Sequence, residues 1–180
     1  FKYRFRNMIT IIDDFFEQKD LELFQNFALY KAFYTPKFFD NAPEKSKEYF
    51  YGNRFYLEDA PEMLELFKKQ SENKFKISIK KVNFNSGIDQ RNLDHFKPHI
   101  DFPHGKINMM IMLKGITSMT NGTVFYHKSK DNLELDTNIG FRENRAILFP
   151  SNHYHSQYAS DIPNMIRFTA TLFIQDYEEL

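Results

Sequence analysis

The sequence contains no cysteine and no tryptophan among its 180 residues. Without cysteine, the chain can form neither a disulfide nor a thiolate metal site, so any metal must use histidine, carboxylate or carbonyl ligands. No apolar run approaches the roughly 18 residues of a membrane span, and no signal-peptide-like apolar segment follows the first residues. We therefore expect no membrane span, and the cytoplasm is the default compartment.

An excess of charge of either sign is also absent. Lys+Arg and Asp+Glu each number 24, so the formal net charge is zero. Proteins that bind duplex nucleic acid or membrane surfaces usually carry a basic excess, and this balance disfavours both functions. The hydrophobic content of 42% and the lack of repeats or low-complexity tracts predict one domain over residues 1–180.

Hydrophobic periodicity predicts helices in the first part of the chain. Residues 8–12 form a short apolar run typical of a strand, and apolar residues then recur at helical spacing over residues 20–34. A second helix is predicted over residues 59–70, with Asp59 as its cap. We expect residues 35–57 to be an irregular loop packed by its own aromatic side chains; part of a substrate wall is the alternative.

Strand signals dominate from residue 75 onwards. Strands are predicted at residues 75–80, 107–113, 123–127, 133–137, 145–149 and 165–174, and a polar loop at 85–97. Two helices followed by about eight short strands indicate an α+β fold with a double-stranded β-helix (jelly-roll or cupin-like) core and the helices packed on one sheet. The helical support is assigned to residues 1–73 and the core to residues 74–175.

A His-x-Asp pair, His99 and Asp101, is the most informative feature of the sequence. In an extended segment, side chains two positions apart project from the same face. A histidine from a distant strand would complete a two-histidine, one-carboxylate set, which leaves three positions of a six-coordinate Fe(II) open. Single His-x-Asp pairs are also common at exposed strand ends. The residues that follow therefore decide whether this pair indicates a metal site.

Those residues stand in a recognisable order. A Phe-Pro-Ser-x-x-x-His-Ser segment places a histidine at His155, and Arg167 follows twelve residues later. Over roughly residues 75–175 the pattern resembles the Fe(II)/2-oxoglutarate-dependent dioxygenases, and among them the prolyl-4-hydroxylase-like branch with its small phage and marine bacterial members. The N-terminal part of the chain resembles this family only loosely.

The resemblance implies that His99, Asp101 and His155 bind the iron. His153 lies two positions before His155 and on the same face, so the residues alone leave both open. In the family the ligand stands six residues after the phenylalanine of this segment, which selects His155 and leaves His153 as a neighbouring or entrance residue. The other histidines are expected outside the set: His95 in a loop, His104 at the mouth of the site and His127 on the surface.

Arg167 interrupts an otherwise apolar strand. An unpaired buried charge is costly, so this guanidinium needs a partner, and an internal ion pair is one explanation. The resemblance implies another, in which Arg167 binds the distal carboxylate of 2-oxoglutarate through two parallel hydrogen bonds. Thr169 and Thr171 continue the same face of the strand and would extend a polar wall.

Further cofactor contacts are implied for hydroxyl and amide side chains on strands that face the iron. The candidates are Thr169, Asn108, Thr123 and Tyr126. Residues 122–126 resemble the family's Gly-Gly-x-Thr-x-Phe stretch, but Asn121 replaces the first glycine and the threonine is shifted. This departure weakens the assignment of Thr123.

The resemblance implies an oxidoreductase that binds Fe(II) and 2-oxoglutarate and uses O2 as co-substrate. It would hydroxylate an unidentified small-molecule or peptidyl substrate and release succinate and CO2. If the protein is phage-encoded, the compartment would be the cytoplasm of the host cell. The oligomeric state is left open between a monomer and a homodimer. Two alternative functions remain. A metal-binding cupin-type isomerase or sensor would not need Arg167, and in a non-catalytic jelly-roll module His99, Asp101 and His155 would lie apart.

Overall fold

Two β-sheets and two helices make up the fold in the computed structural model, which describes residues 8–38, 50–92, 98–130, 132–157 and 166–180. The helices are α1 (Gln18–Tyr30) and α2 (Pro61–Phe75). The strands are β1 (Thr10–Ile12), β2 (Thr35–Phe38), β3 (Phe50–Tyr56), β4 (Ile77–Val82), β5 (Gly87–Asn92), β6 (Ile107–Lys114), β7 (Ser118–Ser129), β8 (Asn132–Phe141), β9 (Arg145–Pro150), β10 (Tyr154–Gln157) and β11 (Ile166–Glu179).

The sheets differ in size, and their pairing is antiparallel. Within the described residues, eight strands form the larger sheet in the order β1-β9-β6-β11-β5-β3-β2, with β4 paired to the far end of β11. The smaller sheet has the order β10-β7-β8. Neighbours in both sheets are often distant in sequence, so most of this pairing is non-local.

The larger sheet separates two apolar clusters. On one side, the helices pack against it through residues such as Phe24, Phe67 and Leu172. On the other side, Met112, Phe125 and further residues of β6, β7, β8 and β9 fill the space between the sheets. Strand β6 is buried on both faces because it lies between these clusters. The predicted α+β class, with the helices on one sheet, is confirmed.

The helices differ from the predicted bounds. Helix α1 ends at Tyr30 rather than at residue 34, and the Tyr34 hydroxyl instead donates to the Ala28 carbonyl over 2.7 Å. Helix α2 continues five residues beyond the predicted end, and Lys76 closes it with a left-handed φ of 55°. The predicted cap, Asp59, lies in a short 3-10 turn, and Ala60 occupies the cap position. No helix among the described residues is both long and apolar enough to cross a membrane.

The largest errors concern segments predicted as loops. Strands β2 and β3 lie within residues 35–57, and β5 lies within residues 85–97. Apolar and polar residues do not alternate clearly in these segments, because each strand has polar side chains on the face that lines the cavity described below. Pairing of β3 with β5, and of β5 with β11, stabilises them as strands. The N-terminal part of the chain, before β4, therefore adds three strands to the larger sheet besides its two helices.

Candidate metal and cofactor site

Main-chain pairing brings the two histidines of the predicted set together. The His99 amide donates to the His155 carbonyl, and the His155 amide donates to the His99 carbonyl, both over 2.9 Å. The Asp101 amide donates to the Ser151 carbonyl over 2.8 Å, so the His-x-Asp segment runs alongside β10. Two regions distant in sequence are thereby fixed side by side.

The side chains of His99, Asp101 and His155 converge. Asp101 Oδ2 lies 3.2 Å from His155 Nε2, and Asp101 Oδ1 lies 3.5 Å from His99 Nε2. One ligand atom from each residue lies within 4.8 Å of the other two. Two ligands at right angles around a metal, each about 2.1 Å from it, are about 3.0 Å apart. The spacing and the two-imidazole, one-carboxylate donor set therefore fit a first-row divalent ion such as Fe(II).

Hydrogen bonds and ring packing fix the orientation of these side chains. His155 Nδ1 lies 3.0 Å from the His153 carbonyl, and donating to it leaves Nε2 with the lone pair that a metal needs. The Asn108 side chain donates to Asp101 Oδ2 over 2.7 Å. Phe149 packs edge-on against the His155 ring at a centroid distance of 4.8 Å and shields that side of the site from water.

The protonation states suit metal binding. Burial lowers the pKa of His99, and the neighbouring His155 lowers it further, so this imidazole is neutral at pH 7. Burial opposes the charge on Asp101, but the nearby imidazoles of His155 and His99 outweigh it and hold the pKa of that carboxyl well below its usual range. Neutral imidazole and ionised carboxylate are the forms that bind a metal.

The His153 side chain points away from the cluster. Its Nε2 lies 3.7 Å from Asp136 Oδ2 on β8, and its ring packs against Phe125. Its backbone carbonyl lies 3.0 Å from His155 Nδ1. His104 lines the same cavity as the cluster, and His127 is exposed on β7. His95 lies outside the described residues.

Arg167 is buried in the same cavity. It is 2% exposed, and its Nη1 donates to the carbonyls of Asn121 and Gly122 over 2.7 and 2.6 Å. Its Nε has no hydrogen-bond partner, and the described residues include no carboxylate paired with it. Burial lowers the pKa of Arg167 well below its ordinary value, and Arg91 lowers it further. A buried cation with such a shortage of acceptors fits an anionic ligand.

The cavity has a volume of about 720 Å³ and opens beside the cluster. Two further buried polar atoms in its wall have no hydrogen-bond partner among the described residues, Thr123 Oγ1 and Gln157 Nε2. Thr123 and Gln157 are cross-strand neighbours on β7 and β10. With Arg167 they supply hydrogen-bond donors that a bound carboxylate would satisfy.

The other residues predicted to touch the cofactor do not line this cavity. Asn108 is directed to Asp101. Tyr126 lies 2.9 Å from the Ser156 hydroxyl, and a register shift between Phe125 and Tyr126 interrupts the alternation of β7. Thr169 is buried opposite Asp89 on the neighbouring strand β5.

Several cavity residues were not anticipated from the sequence. Gln157 stands two positions after His155, the spacing that already linked His99 to Asp101, so the same rule could have found it. Lys37, Arg54 and Arg91 also line the cavity, from β2, β3 and β5. Those strands were predicted as loops, so their inward faces gave no usable signal.

Comparison with known proteins supports the architecture. No family model matches the chain, and no curated protein matches its sequence. Among solved structures, it is similar to the non-heme alpha ketoglutarate dependent epimerase SnoN from nogalamycin biosynthesis, with a TM-score of 0.64 and 8% identity over 98% of this chain and 82% of that one. SnoN in complex with Fe3+, alpha ketoglutarate and nogalamycin RO gives a TM-score of 0.62 at 8% identity, over 99% and 83%.

A prolyl hydroxylase from Trichoplax adhaerens, in complex with a peptide fragment of hypoxia inducible factor, is similar to the same degree. Its TM-score is 0.64 at 16% identity, over 94% of this chain and 84% of that one. Identities this low establish the fold alone. The chain has the α+β double-stranded β-helix fold that it shares with this epimerase and this prolyl hydroxylase, and the fold that the sequence resemblance implied is confirmed.

Proposed function

We propose that the protein is an Fe(II)- and 2-oxoglutarate-dependent oxygenase, an oxidoreductase whose catalytic domain spans residues 1–180. His99, Asp101 and His155 would hold the iron, and Arg167 would hold the distal carboxylate of 2-oxoglutarate. One observation carries the proposal: the same cavity contains a two-histidine, one-carboxylate cluster and a buried arginine that pairs with no carboxylate among the described residues.

The donor set favours iron with a chelating co-substrate. His99, Asp101 and His155 would supply three ligands to a six-coordinate ion, which would leave room for a keto acid to bind beside them. When bound, Fe(II) and 2-oxoglutarate would supply the activation of O2 for C–H oxidation, with release of succinate and CO2.

The residues of the chain supply positioning and protection from water. The Arg167 fork, helped by the Thr123 hydroxyl and the Gln157 amide, would orient one carboxylate of the keto acid. Phe149 closes one side of the cluster. Asn108 keeps the Asp101 carboxylate in one orientation, which pre-forms the ligand set before a metal arrives.

The reaction we propose is hydroxylation of a small-molecule or peptidyl substrate. The cavity volume of about 720 Å³ suits a ligand of metabolite or side-chain size. The similar prolyl hydroxylase was solved with a peptide fragment, and SnoN with nogalamycin RO, so proteins of this fold bind ligands of both kinds. The cytoplasm is the proposed compartment.

The test is spectroscopic and then catalytic. Under anaerobic conditions, 2-oxoglutarate added to the Fe(II)-loaded protein should give a metal-to-ligand absorption band, and admission of O2 should release succinate even without substrate. His155→Ala is the matched control and should give neither signal. Metal binding without a keto-acid band would support a cupin-type metal protein instead. The convergence of His99, Asp101 and His155 already counts against a non-catalytic module.

A further inference from the structure

Strand β7 bulges over residues 118–122. Its register with β8 shifts between Ser118 and Thr123, where five steps along β7 are matched by only two steps along β8. Extra residues of this kind leave the regular ladder of a sheet, so their main-chain groups need other partners. The carbonyls of Asn121 and Gly122 find theirs in the guanidinium of the buried arginine on β11.

This bulge determines which edge of Arg167 is available to a ligand. Nη1 donates to the Asn121 carbonyl over 2.7 Å and to the Gly122 carbonyl over 2.6 Å. A guanidinium has donors on all three nitrogens, and Nε has no hydrogen-bond partner among the described residues. With Nη1 held by two acceptors, the edge formed by Nε and Nη2 is the one that can bind a carboxylate through two parallel hydrogen bonds.

Asn121 makes two contacts that fix its peptide group. Its side-chain Nδ2 donates to the Ile116 carbonyl over 3.1 Å, and the residue is 0% exposed. Its main-chain carbonyl accepts the hydrogen bond from Arg167. Because one residue carries both contacts, the side-chain bond restricts the rotation that would turn the carbonyl away from the guanidinium.

The bulge is also held against β8. A Cβ at Gly122 would come within 1.9 Å of the Ile139 carbonyl, so only glycine permits this approach. A second amide, Asn138 Nδ2 on β8, donates to the Met119 carbonyl over 3.0 Å. Asn138 therefore anchors the bulge at a residue other than the two that accept from the guanidinium, whereas Asn121 anchors one of those two.

We infer that Asn121 is a positioning residue that acts through Arg167 and sets the preference of the cavity for a keto acid with a distal carboxylate. This inference rests on the proposed function, in which Arg167 binds that carboxylate. Without the Asn121 amide, the peptide that supplies one acceptor of Nη1 is no longer held. The guanidinium then adopts further orientations, and its Nε–Nη2 edge meets the carboxylate in fewer of them.

The test compares two keto acids that differ only at the distal end. In 2-oxopentanoate a methyl group replaces the distal carboxylate of 2-oxoglutarate, and the keto acid group is the same. Each is titrated calorimetrically into Mn(II)-loaded protein under anaerobic conditions, and the ratio of the two affinities is the readout. Asn121→Ala should weaken 2-oxoglutarate binding about 3- to 10-fold, the value of one hydrogen bond, and leave 2-oxopentanoate binding unchanged.

A double-mutant cycle tests whether the effect passes through Arg167. In an Arg167→Ala background, Asn121→Ala should change neither affinity further, because the group on which it acts is gone. Asn138→Ala is the matched control and should leave the affinity ratio unchanged. The Oδ1 atoms of Asn121 and Asn138 have no hydrogen-bond partner among the described residues, so each substitution removes a single hydrogen bond.

A second variant covers the case in which Asn121→Ala does not bind Mn(II). Asn121→Ser also removes the amide, but it keeps a polar group that is one bond shorter, and it should give the same change of ratio. If neither variant binds Mn(II), Asn121 supports the fold rather than Arg167, and the inference is wrong.

The remaining outcomes separate this inference from the function on which it rests. An unchanged affinity ratio in Asn121→Ala, or an equal change in Asn138→Ala, would overturn the inference. A loss that persists in the Arg167→Ala background would overturn it as well. Wild-type protein that binds Mn(II) but not 2-oxoglutarate would instead overturn the proposed function, and equal affinity of wild type for both keto acids would overturn the role of Arg167 in it.

Discussion

Asn108 donates a hydrogen bond to Asp101 Oδ2 over 2.7 Å, and the same oxygen lies 3.2 Å from His155 Nε2. The other carboxylate oxygen lies 3.5 Å from His99 Nε2. Asn108 therefore determines which oxygen faces which imidazole. It is fully buried on β6, so its position is set by the core of the sheet rather than by a loop.

Replacing Asn108 should weaken metal binding without unfolding the protein. Asn108→Leu keeps the branching of the side chain at Cγ but removes the donor, and loss of such a supporting hydrogen bond costs about 10- to 100-fold in metal affinity. The apo protein should keep its melting temperature, because the Asn108 Oδ1 atom that is also removed has no partner among the described residues. Metal titration beside thermal melting measures both quantities. An unchanged metal affinity would show that Asp101 needs no positioning by Asn108.

His155, on β10, and His153, in the turn before it, should differ in their effect on metal affinity when each is replaced by alanine. His155→Ala should abolish tight metal binding, because among the described residues only His99 and Asp101 would then be left in the cluster. His153→Ala should retain it, since the contribution of His153 to His155 is a backbone carbonyl that alanine also has. Calorimetric titration with Fe(II) or Mn(II) distinguishes them, and equal losses in two folded variants would contradict the assignment.

Arg167 should control keto-acid affinity and not metal affinity. Charge-assisted hydrogen bonds are worth about 1.5–3 kcal/mol, so Arg167→Ala should weaken 2-oxoglutarate binding by roughly 10- to 100-fold or more. Arg167→Lys should recover only part of this loss, because an ammonium keeps the charge without the fork. The anaerobic metal-to-ligand absorption band gives the affinity. Should Arg167→Ala bind the keto acid as tightly as wild type, Arg167 would not be the residue that holds its distal carboxylate.

Thr123→Val should move stability and keto-acid affinity in opposite directions. The Thr123 hydroxyl is buried without a hydrogen-bond partner, so replacing it with a methyl group should leave the apo protein as stable or slightly more stable. If the hydroxyl donates to the keto acid, affinity should fall by about 3- to 10-fold, the value of one ordinary hydrogen bond. The melting temperature of the apo protein tests the expected stability, and titration with 2-oxoglutarate tests the expected loss of affinity. A loss of stability with unchanged affinity would assign Thr123 to the core alone.

Asp13 should make the attachment of the N-terminal strand dependent on pH. Hydrogen bonds from Arg145, with further attraction from Arg142, outweigh partial burial and lower the pKa of Asp13. A carboxylate with a lower pKa in the folded state stabilises the protein above its unfolded pKa of about 3.9, and this contribution disappears as the pH falls through the folded value.

Asp13→Asn should therefore lower the free energy of unfolding at pH 7. The expected loss is about 0.5–1 kcal/mol, reduced by solvent because the Asp13 side chain is 32% exposed. The variant and wild type should converge as the pH falls through the lowered folded pKa of Asp13. Urea unfolding at pH 7 and at a series of acidic pH values measures this, and Glu178→Gln, which removes an exposed partner of Lys80, is the matched control. A difference that persists at low pH would mean that the effect is not electrostatic.

The sequence predicted the parts of the fold that have strong local signals. Strand β6 has no polar residue at five consecutive positions from Met109 onwards, and β11 alternates over many residues, so both were recognised. Strands β2, β3 and β5 were missed because charged residues that line the cavity, such as Arg54 and Arg91, break their alternation. Only non-local pairing makes these segments strands, and no short window of sequence contains that information.

The candidate site was predictable to a similarly uneven degree. The spacing of His99 and Asp101 follows from strand geometry, but the pairing of this segment with His155 rests on a main-chain contact that sequence spacing does not encode. Thr169 lies on the expected face of its strand but does not line the cavity. Strand geometry predicts the face on which a side chain lies, but not whether a neighbouring side chain covers it. Tyr126 also lies outside the cavity lining, and its hydroxyl lies 2.9 Å from the Ser156 hydroxyl.

The reciprocal main-chain bonds between His99 and His155 separate the framework of the site from its ligands. Each residue contributes its amide and carbonyl to the pairing, and these atoms survive any side-chain replacement except proline. Either imidazole can therefore be exchanged for another donor, such as a carboxylate, while the distance between the two Cα positions stays fixed. The chain consequently offers a scaffold on which the donor set of a metal centre can be varied one ligand at a time, without first redesigning the backbone that holds it.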